Sequence, residues 1–371
     1  MIQSVFIIGA TGRVGNSLVR QIIEKGDMSC DRHTNPTRIV GLASSSHFFY
    51  SLGGISPQKA YNFASRDFNN APRYRDISEL IEIANYGRKK EGTLVFIDAT
   101  AAQEPLNQFH LDVINKTPHG IVTANKNPIT LSSYDAFQQL TKQPRRYGYR
   151  CSVMAGAEAV PFLQDLKDLN DKLCTIEGCF SGTLGYITSE LEKDLLISDI
   201  IREAHVLGYT EPHPRDDLLG VDVAKKLCIL ARTAGYDVSM DSIKISPFVS
   251  REFLLEDNAD AFLKSLNDIK HINAMDANVA DRMHDAKKRG STLRYVARMD
   301  ARKEKPELEV SLQEVPKDSH LGHIPSGKNK IVITSEAYPS GYSIESIGAG
   351  LDVTARNIRR DLLTLLPERS F

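Results

Sequence analysis

The run from Glu211 to Lys226, Glu-Pro-His-Pro-Arg-Asp-Asp-Leu-Leu-Gly-Val-Asp-Val-Ala-Lys-Lys, gathers carboxylates and a lysine around a helix start. Pro212 and Pro214 lack an amide proton and disfavour helix before them, which predicts a rigid loop over 211–215 and a cap from Asp216 or Asp217 on the following helix. Asp222 and Lys226 stand one helical turn apart, so their side chains share a face. At about 100° per residue that face lies between Leu218 with Ile229 and Leu219 with Leu230, while Lys225 and Arg232 mark the solvent stripe. A surface pair would contribute little. An amine and a carboxylate set among leucines are expected to be partly desolvated, and desolvation lets an ammonium group exchange protons near neutral pH. The pattern is that of an enzyme.

Such a site needs a scaffold, and the N-terminal half supplies one. Val5-Phe6-Ile7-Ile8 runs into Gly9-Ala-Thr-Gly12-Arg-Val-Gly15, after which Leu18, Val19, Ile22 and Ile23 recur at helical spacing. Strand, glycine turn and helix in this order let the backbone approach a pyrophosphate that the helix N-terminus then holds. Strand-like segments at 38–43, 93–97, 120–123 and 149–153, with helical patterns at 77–83 and 106–114, predict an α/β fold with a Rossmann-type doubly wound parallel sheet. Segments 292–299, 307–312 and 330–335 read as strands of a second, α+β domain, with 258–276 mostly helical. The expected division is a dinucleotide-binding domain over 1–153, completed by 341–371, and a substrate-binding domain over 154–340. The stretch Ala43-Ser44-Ser45-Ser46-His47 holds no carboxylate for a ribose 2′-hydroxyl, and with Arg13 in the glycine turn this favours NADP, with NAD left open. Residues 28–37, including Asp31, His33, Asn35 and Pro36, read as a surface insertion without evident chemistry.

A formal charge of −1 over 371 residues, with no sustained basic run, gives no reason to expect nucleic acid. No apolar segment approaches the roughly 20 residues that span a bilayer. A strand beginning almost at once leaves no room for a leader, so a cytoplasmic protein is expected. Five cysteines without a CxxC pair suggest neither a disulfide framework nor zinc, and no metal is expected.

With the glycine turn, Thr123-Ala-Asn-Lys126, Gly178-Cys-Phe-Ser-Gly-Thr183-Leu-Gly-Tyr186-Ile and Leu207-Gly-Tyr-Thr-Glu211 through Lys226 in this order, the chain resembles the homoserine dehydrogenase family over nearly its whole length. Phe180-Ser-Gly-Thr-Leu and Glu211-Pro-His-Pro-Arg-Asp-Asp-Leu look most like its fungal-type, monofunctional branch, and the extra C-terminal regulatory domain found in many relatives is not expected here. The resemblance implies NAD(P)-linked interconversion of L-homoserine and L-aspartate 4-semialdehyde, a step toward threonine and methionine. It gives Lys226 a proton-transfer role supported by Asp222, and sets Glu211 and Asp217 at the amino-acid end of the substrate. Lys126 is the alternative lysine for orienting the carbonyl or for acid-base work. Gly182 and Thr183 are expected near the substrate, with Tyr186 either reaching it or packing. Expected cofactor contacts are Gly9, Thr11, Gly12, Arg13, Val14, Gly15, Ser44, Thr100, Thr123, Gly350 and Thr354. Gly348-Ala349-Gly350 resembles the return to the nucleotide domain, followed by a helix over 353–365. Relatives pair through the second domain, which implies a homodimer.

The chain departs from the family where Arg150, Met154 and Glu158 take the places of an acidic residue, a glycine and a proline. That region in relatives can hold a monovalent cation. A guanidinium has only donors and cannot ligate one, so no cation is expected, with Arg150 substituting electrostatically. Ser346 and Ile347 also depart from a small-residue run. These changes make a catalytically silent, nucleotide-binding homologue the alternative reading, against which the retention of Glu211, Asp217, Asp222 and Lys226 argues. A short-chain dehydrogenase would need Tyr-x-x-x-Lys on a later helix, and Tyr86 to Lys90 sits in a charged loop. An aspartate-semialdehyde dehydrogenase would need a nucleophilic cysteine, and no cysteine stands in a recognisable motif.

Overall fold

Val5, Phe6, Ile7 and Ile8 are all buried in β1 (Gln3–Ile8), a continuous apolar run suited to a parallel strand covered on both faces. The structure, a computed structural model, describes residues 2–33, 35–86, 94–143, 145–267, 269–325, 327–348 and 350–365, without the side chains of 269–273. β1 is followed by β2 (Thr37–Ala43), β3 (Phe48–Tyr50), β4 (Leu94–Asp98), β5 (Gly120–Thr123) and β6 (Tyr147–Gly148), in the sheet order β3-β2-β1-β4-β5-β6. All neighbours are parallel except β2 with β3. The order reverses between β1 and β4, and in open α/β sheets ligands bind outside the carboxyl ends of strands at such a switch point. The helix Arg13–Glu24 buries Leu18, Val19 and Ile22, and the helix Leu351–Thr364 adds Ala355, Ile358 and Leu362 to the same apolar cluster.

The second sheet contains β7 (Leu173–Cys179), β8 (Ile243–Ile245), β9 (Ser291–Asp300), β10 (Glu307–Pro316), β11 (Asn329–Ser335) and β12 (Tyr342–Ser346), ordered β12-β11-β7-β9-β10-β8. It is antiparallel apart from β8 with β10. The helices Gly182–Leu191, Val221–Thr233 and Ile269–Lys288 pack against β9. Among the described residues no helix is long and apolar enough to cross a membrane.

The chain divides into two compact units, Met1–Gly156 with Gly350–Phe371, and Ala157–Ala349. Both boundaries differ from those expected. Residues 154–156 stay with the first unit because Asn357 Nδ2 donates to Ala155 O at 2.7 Å. The segment before 350 stays with the second because β12 pairs with β11. The strand expected at 149–153 is instead the two-residue β6 followed by a 3₁₀ turn over Arg150–Ser152. The region 258–276 is split between the helices Ala259–Ser265 and Ile269–Lys288. Residues 87–93, which include the expected Lys90 loop and the start of the 93–97 strand, and Ala349 lie outside the described residues.

Candidate functional site

The glycine turn is shaped by backbone approach. Gly9 has φ +79°, a conformation that side chains disfavour. A Cβ on Gly15 would lie 2.1 Å from Gly9 O, and one on Gly9 2.8 Å from Thr100 Cγ2. The amides of Gly9 and Ala10 both donate to Ala43 O, at 2.9 and 3.0 Å, which locks the turn onto β2. Gly12 caps the helix Arg13–Glu24, which has no acidic residue in its first turn, so its amide groups and dipole favour an anion. Arg13 is exposed there, with Thr11 and Val14 half-buried. This cradle fits the pyrophosphate of a dinucleotide.

Beneath the adjoining loop lies a buried polar network that motif reading missed. Asp98, at the end of β4, accepts from the Thr100 amide at 2.9 Å and from Asn125 Nδ2 at 3.0 Å. His110 bridges Asp98 at 3.1 Å and Tyr147 at 2.8 Å. Burial pushes the Asp98 carboxyl up, but the His110 ring and the Thr100 amide hold it below the usual range. Thr123 is fully buried, its hydroxyl accepting the Asn125 amide at 3.0 Å, so it shapes this loop from within. The strand-end positions of Asp98 and Asn125 were the available signal. Lys126 is half-buried and precedes the short helix Asn127–Thr130.

After β2, the Ser44 hydroxyl accepts the His47 amide at 3.0 Å and so closes its own turn. The sequence reading missed what surrounds it. Tyr74 donates to Ser44 O at 2.6 Å, His47 stacks on Phe68 with centroids 4.6 Å apart, and exposed Arg73 donates to His47 Nε2 at 3.2 Å. Gly350 has φ +139°, and Thr354 Oγ1 donates to its carbonyl at 2.9 Å.

Arg150 Nε stands 3.0 Å from the carboxylate of Asp361, which is 2% exposed. Burial raises Asp361 to about 6 despite the guanidinium, and burial also pushes the Cys151 thiol well up. A donor-only guanidinium paired to the acid, with the Ala155 carbonyl engaged by Asn357, does not suit a monovalent cation.

In the second unit, Lys226 is 9% exposed. Its Nζ donates to Asp222 Oδ2 and to Phe180 O, each at 2.8 Å. Asp222 itself is half exposed, contrary to the expectation of shared desolvation, because it sits in the first turn of Val221–Thr233. Arg232, expected in the solvent stripe, is 1% exposed, with Nε donating to Val238 O at 2.8 Å where the chain folds back. Gly220 precedes this helix at φ +73°, where a Cβ would meet Tyr295 Oη at 1.9 Å.

Neither Asp216 nor Asp217 is a cap. The short helix Pro214–Leu218 starts earlier, with His213 accepting the Arg215 amide at 3.2 Å and proline in the first turn, where its missing amide costs nothing. Asp217 is thereby free to turn inward. Its Oδ2 accepts the Glu211 amide at 2.8 Å, and its Oδ1 lies 2.9 Å from Thr183 Oγ1, which also donates to Tyr209 O at 2.7 Å. Burial raises Asp217 to about 6, the bonds to Glu211 and Thr183 oppose this, and the Glu211 and Asp222 charges add to it. Glu211 is exposed. Gly182 opens the helix capped by Ser181, which accepts the Leu184 amide at 3.2 Å. The Tyr186 ring lies against Tyr209, centroids 4.9 Å apart, and its phenol is raised by burial and then by Glu203. The structure thus brings Thr183, Glu211, Asp217, Asp222 and Lys226 into one region of the second unit.

A family model described as homoserine dehydrogenase matches residues 161–363. A homoserine dehydrogenase of Emericella nidulans is 33% identical over 378 aligned residues, covering 97% of each chain. A bifunctional aspartokinase/homoserine dehydrogenase of Buchnera aphidicola is 30% identical over 97% of this chain but 42% of its own length, so the chain spans about two fifths of that relative. Among solved structures, a Candida auris protein of unknown function matches with a TM-score of 0.84 at 26% identity, over 98% of both chains. A hyperthermophilic archaeal homoserine dehydrogenase in complex with NADPH matches with a TM-score of 0.70 over 98% and 97% of the two chains, at 17% identity, a likeness of fold. By the family model and by a relative at 33% identity matched over almost its full length, this chain belongs to the homoserine dehydrogenase family.

Proposed function

We propose that this chain interconverts L-homoserine and L-aspartate 4-semialdehyde by NAD(P)-linked hydride transfer at C4, with Lys226 moving the proton on the C4 oxygen. The observation that carries this reading is the buried Lys226 ammonium, fixed by Asp222 and the Phe180 carbonyl. Two of its three donors are spent on these partners, which leaves one N–H that would meet a substrate oxygen. As C4 changes between alcohol and carbonyl, that N–H stabilises the developing alkoxide and delivers or removes the proton. A bound nicotinamide supplies or accepts the hydride.

Glu211 and Asp217 would hold the substrate ammonium, with Thr183 orienting Asp217. Gly182 and Tyr186 would line the same substrate region. Lys126 is the second lysine, suited to orienting the carbonyl. The glycine turn, with Thr11 to Gly15, Gly350 and Thr354, would carry the dinucleotide, and Thr100, Thr123 and Ser44 would shape its surroundings. NADP is the favoured cofactor, because the Ser44–His47 turn offers no carboxylate and Arg13 and Arg73 are cationic and exposed. The second unit would be the substrate-binding and dimerisation domain of a cytoplasmic homodimer.

A steady-state assay of homoserine oxidation with NAD and NADP in parallel tests the reaction and the cofactor together. Turnover with both substrates present and a higher kcat/KM for NADP are expected. No turnover by folded protein that binds NADPH would overturn the proposed reaction.

A further inference from the structure

Lys126 stands between two asparagines that grip the same neighbouring turn. Asn125 Nδ2 donates to Ala102 O at 2.7 Å and to Asp98 Oδ2 at 3.0 Å, which accounts for both of its protons, with Thr100 Oγ1 at 3.3 Å beside them. Asn127 Nδ2 donates to Ala101 O at 2.8 Å. The two side chains are joined in turn, because Asn125 Oδ1 accepts the Asn127 amide at 3.0 Å. Lys126 is thereby tied on both sides to the segment 98–102 that closes β4 and follows it.

That segment is also a wall of the dinucleotide cradle. A Cβ on Gly9 would lie 2.8 Å from Thr100 Cγ2 and 3.2 Å from the Ala99 carbonyl. Ala101 and Ala102 are exposed, so little packing holds them, and the bonds to their carbonyls set the course of the chain there. Asn125 is buried, and its anchor is firm. Buried Asp98 accepts from the Thr100 amide at 2.9 Å, and His110 Nε2 stands 3.1 Å from the same oxygen that takes Asn125. Tyr147 Oη, 2.8 Å from His110 Nδ1, engages the other ring nitrogen. With each of these groups partnered, the buried network is rigid and fixes where Asn125 points.

We propose that Asn125 and Asn127 are positioning residues that set Lys126 relative to the dinucleotide cradle, with Asn125 the principal one. The inference rests on the role given to Lys126 above, orienting the carbonyl, and deepens it. A lysine on a half-buried turn acts at a fixed place because both of its neighbours bind the cradle wall. The two asparagines act through Lys126 and not on the substrate themselves. A displacement of about 1 Å at such a group costs on the order of 10²-fold in rate.

Steady-state homoserine oxidation by Asn125→Ala, Lys126→Ala and Asn125→Ala/Lys126→Ala tests it, with NADP saturating and thermal unfolding followed alongside. Asn125→Ala is expected to lower kcat about ten-fold or more, with KM for homoserine changed less than about three-fold. It is expected to add nothing in the Lys126→Ala background, because residues that act as a unit are not additive. A purely structural role would lower the melting temperature and multiply with the Lys126 loss. Should Asn125→Ala lose its native circular dichroism, Asn127→Ala, at the less buried end of the clamp, is read in the same way, with a loss of about three-fold or more expected. Equal kcat in variant and parent, or the same fold-loss with and without Lys126, would overturn the positioning role while the parent's turnover upholds the reaction. A Lys126→Ala enzyme as fast as the parent would remove Lys126 and the positioning role together. No turnover by the folded parent would overturn the reaction itself, and this inference with it.

Discussion

Lys226 Nζ donates to the carbonyl oxygen of Phe180 at 2.8 Å, a bond that ties the middle of one helix to the residue just before the Ser181 cap of another. A backbone carbonyl cannot be titrated away, so this bond holds the ammonium in place while Asp222, at the rim, compensates its charge.

Replacing Lys226 with alanine is expected to lower kcat for homoserine oxidation by about 10²–10⁴-fold, the range for losing a positioned proton-transfer group. NADPH affinity, followed by fluorescence titration, should stay near that of the parent. Comparable turnover in variant and parent would remove Lys226 from the proton step and leave Lys126 as the candidate. Asp222→Asn is expected to cost less, about ten-fold, because the half-exposed carboxylate is screened by water.

Asp217 is raised to about 6 by burial, so in the free enzyme it becomes protonated as the pH falls through that value. A neutral Asp217 no longer attracts the substrate ammonium, and kcat/KM for homoserine should fall below about pH 6 with kcat less affected. The stability effect has the opposite sign. Because the folded pKa is raised, the protonated form favours the folded state, and that contribution fades as pH rises from about 4 to about 6. Asp217→Asn should therefore gain stability relative to the parent across this window in chemical denaturation, while losing the acid limb of the kcat/KM profile. A parent profile flat through pH 6 would contradict the assignment.

Gly15→Ala would set a Cβ 2.1 Å from Gly9 O, against rigid backbone on both sides. A cost of about 1–3 kcal/mol in stability is expected from such overpacking. The glycine turn must open to relieve it, so NADPH binding should weaken more than homoserine binding. Unchanged affinity for the dinucleotide would show that the turn is not its cradle.

Arg150→Met removes the cation beside buried Asp361 and should destabilise the protein by about 3–5 kcal/mol at pH 8, as for other buried pairs broken on one side. The cost should shrink as the pH falls toward about 6, because without the guanidinium that lowers it the Asp361 carboxyl takes up a proton more readily than in the parent. Arg150→Met/Asp361→Asn should recover much of the loss in urea denaturation. A single-variant cost independent of pH would rule out the stranded carboxylate as its cause.

Arg73→Ala is expected to lower NADPH affinity by about ten-fold, as for loss of one charged hydrogen bond, with NADH affinity little changed. Equal effects on the two cofactors would exclude Arg73 from their discrimination.

The features legible along the chain were local ones. The glycine turn was legible because three glycines between an apolar strand and an amphipathic helix constrain a short stretch of backbone, with no help from distant residues. The burial of Lys226 was legible because one helical turn places it among leucines. The same projection failed at Arg232, since periodicity cannot see the returning segment whose Val238 carbonyl takes its Nε–H. It also failed at Asp222, since a first-turn residue has no preceding turn to cover it. The partners that convert residue types into a site came from the folded chain: Phe180 O for Lys226, Thr183 for Asp217, His110 for Asp98, and Asp361 for Arg150. Some of these partners lie a few elements away along the chain, and Arg150 and Asp361 are separated along it by the whole second unit. Charge and hydrogen bonding act through space over a few ångströms, so they register with no fixed spacing along the chain.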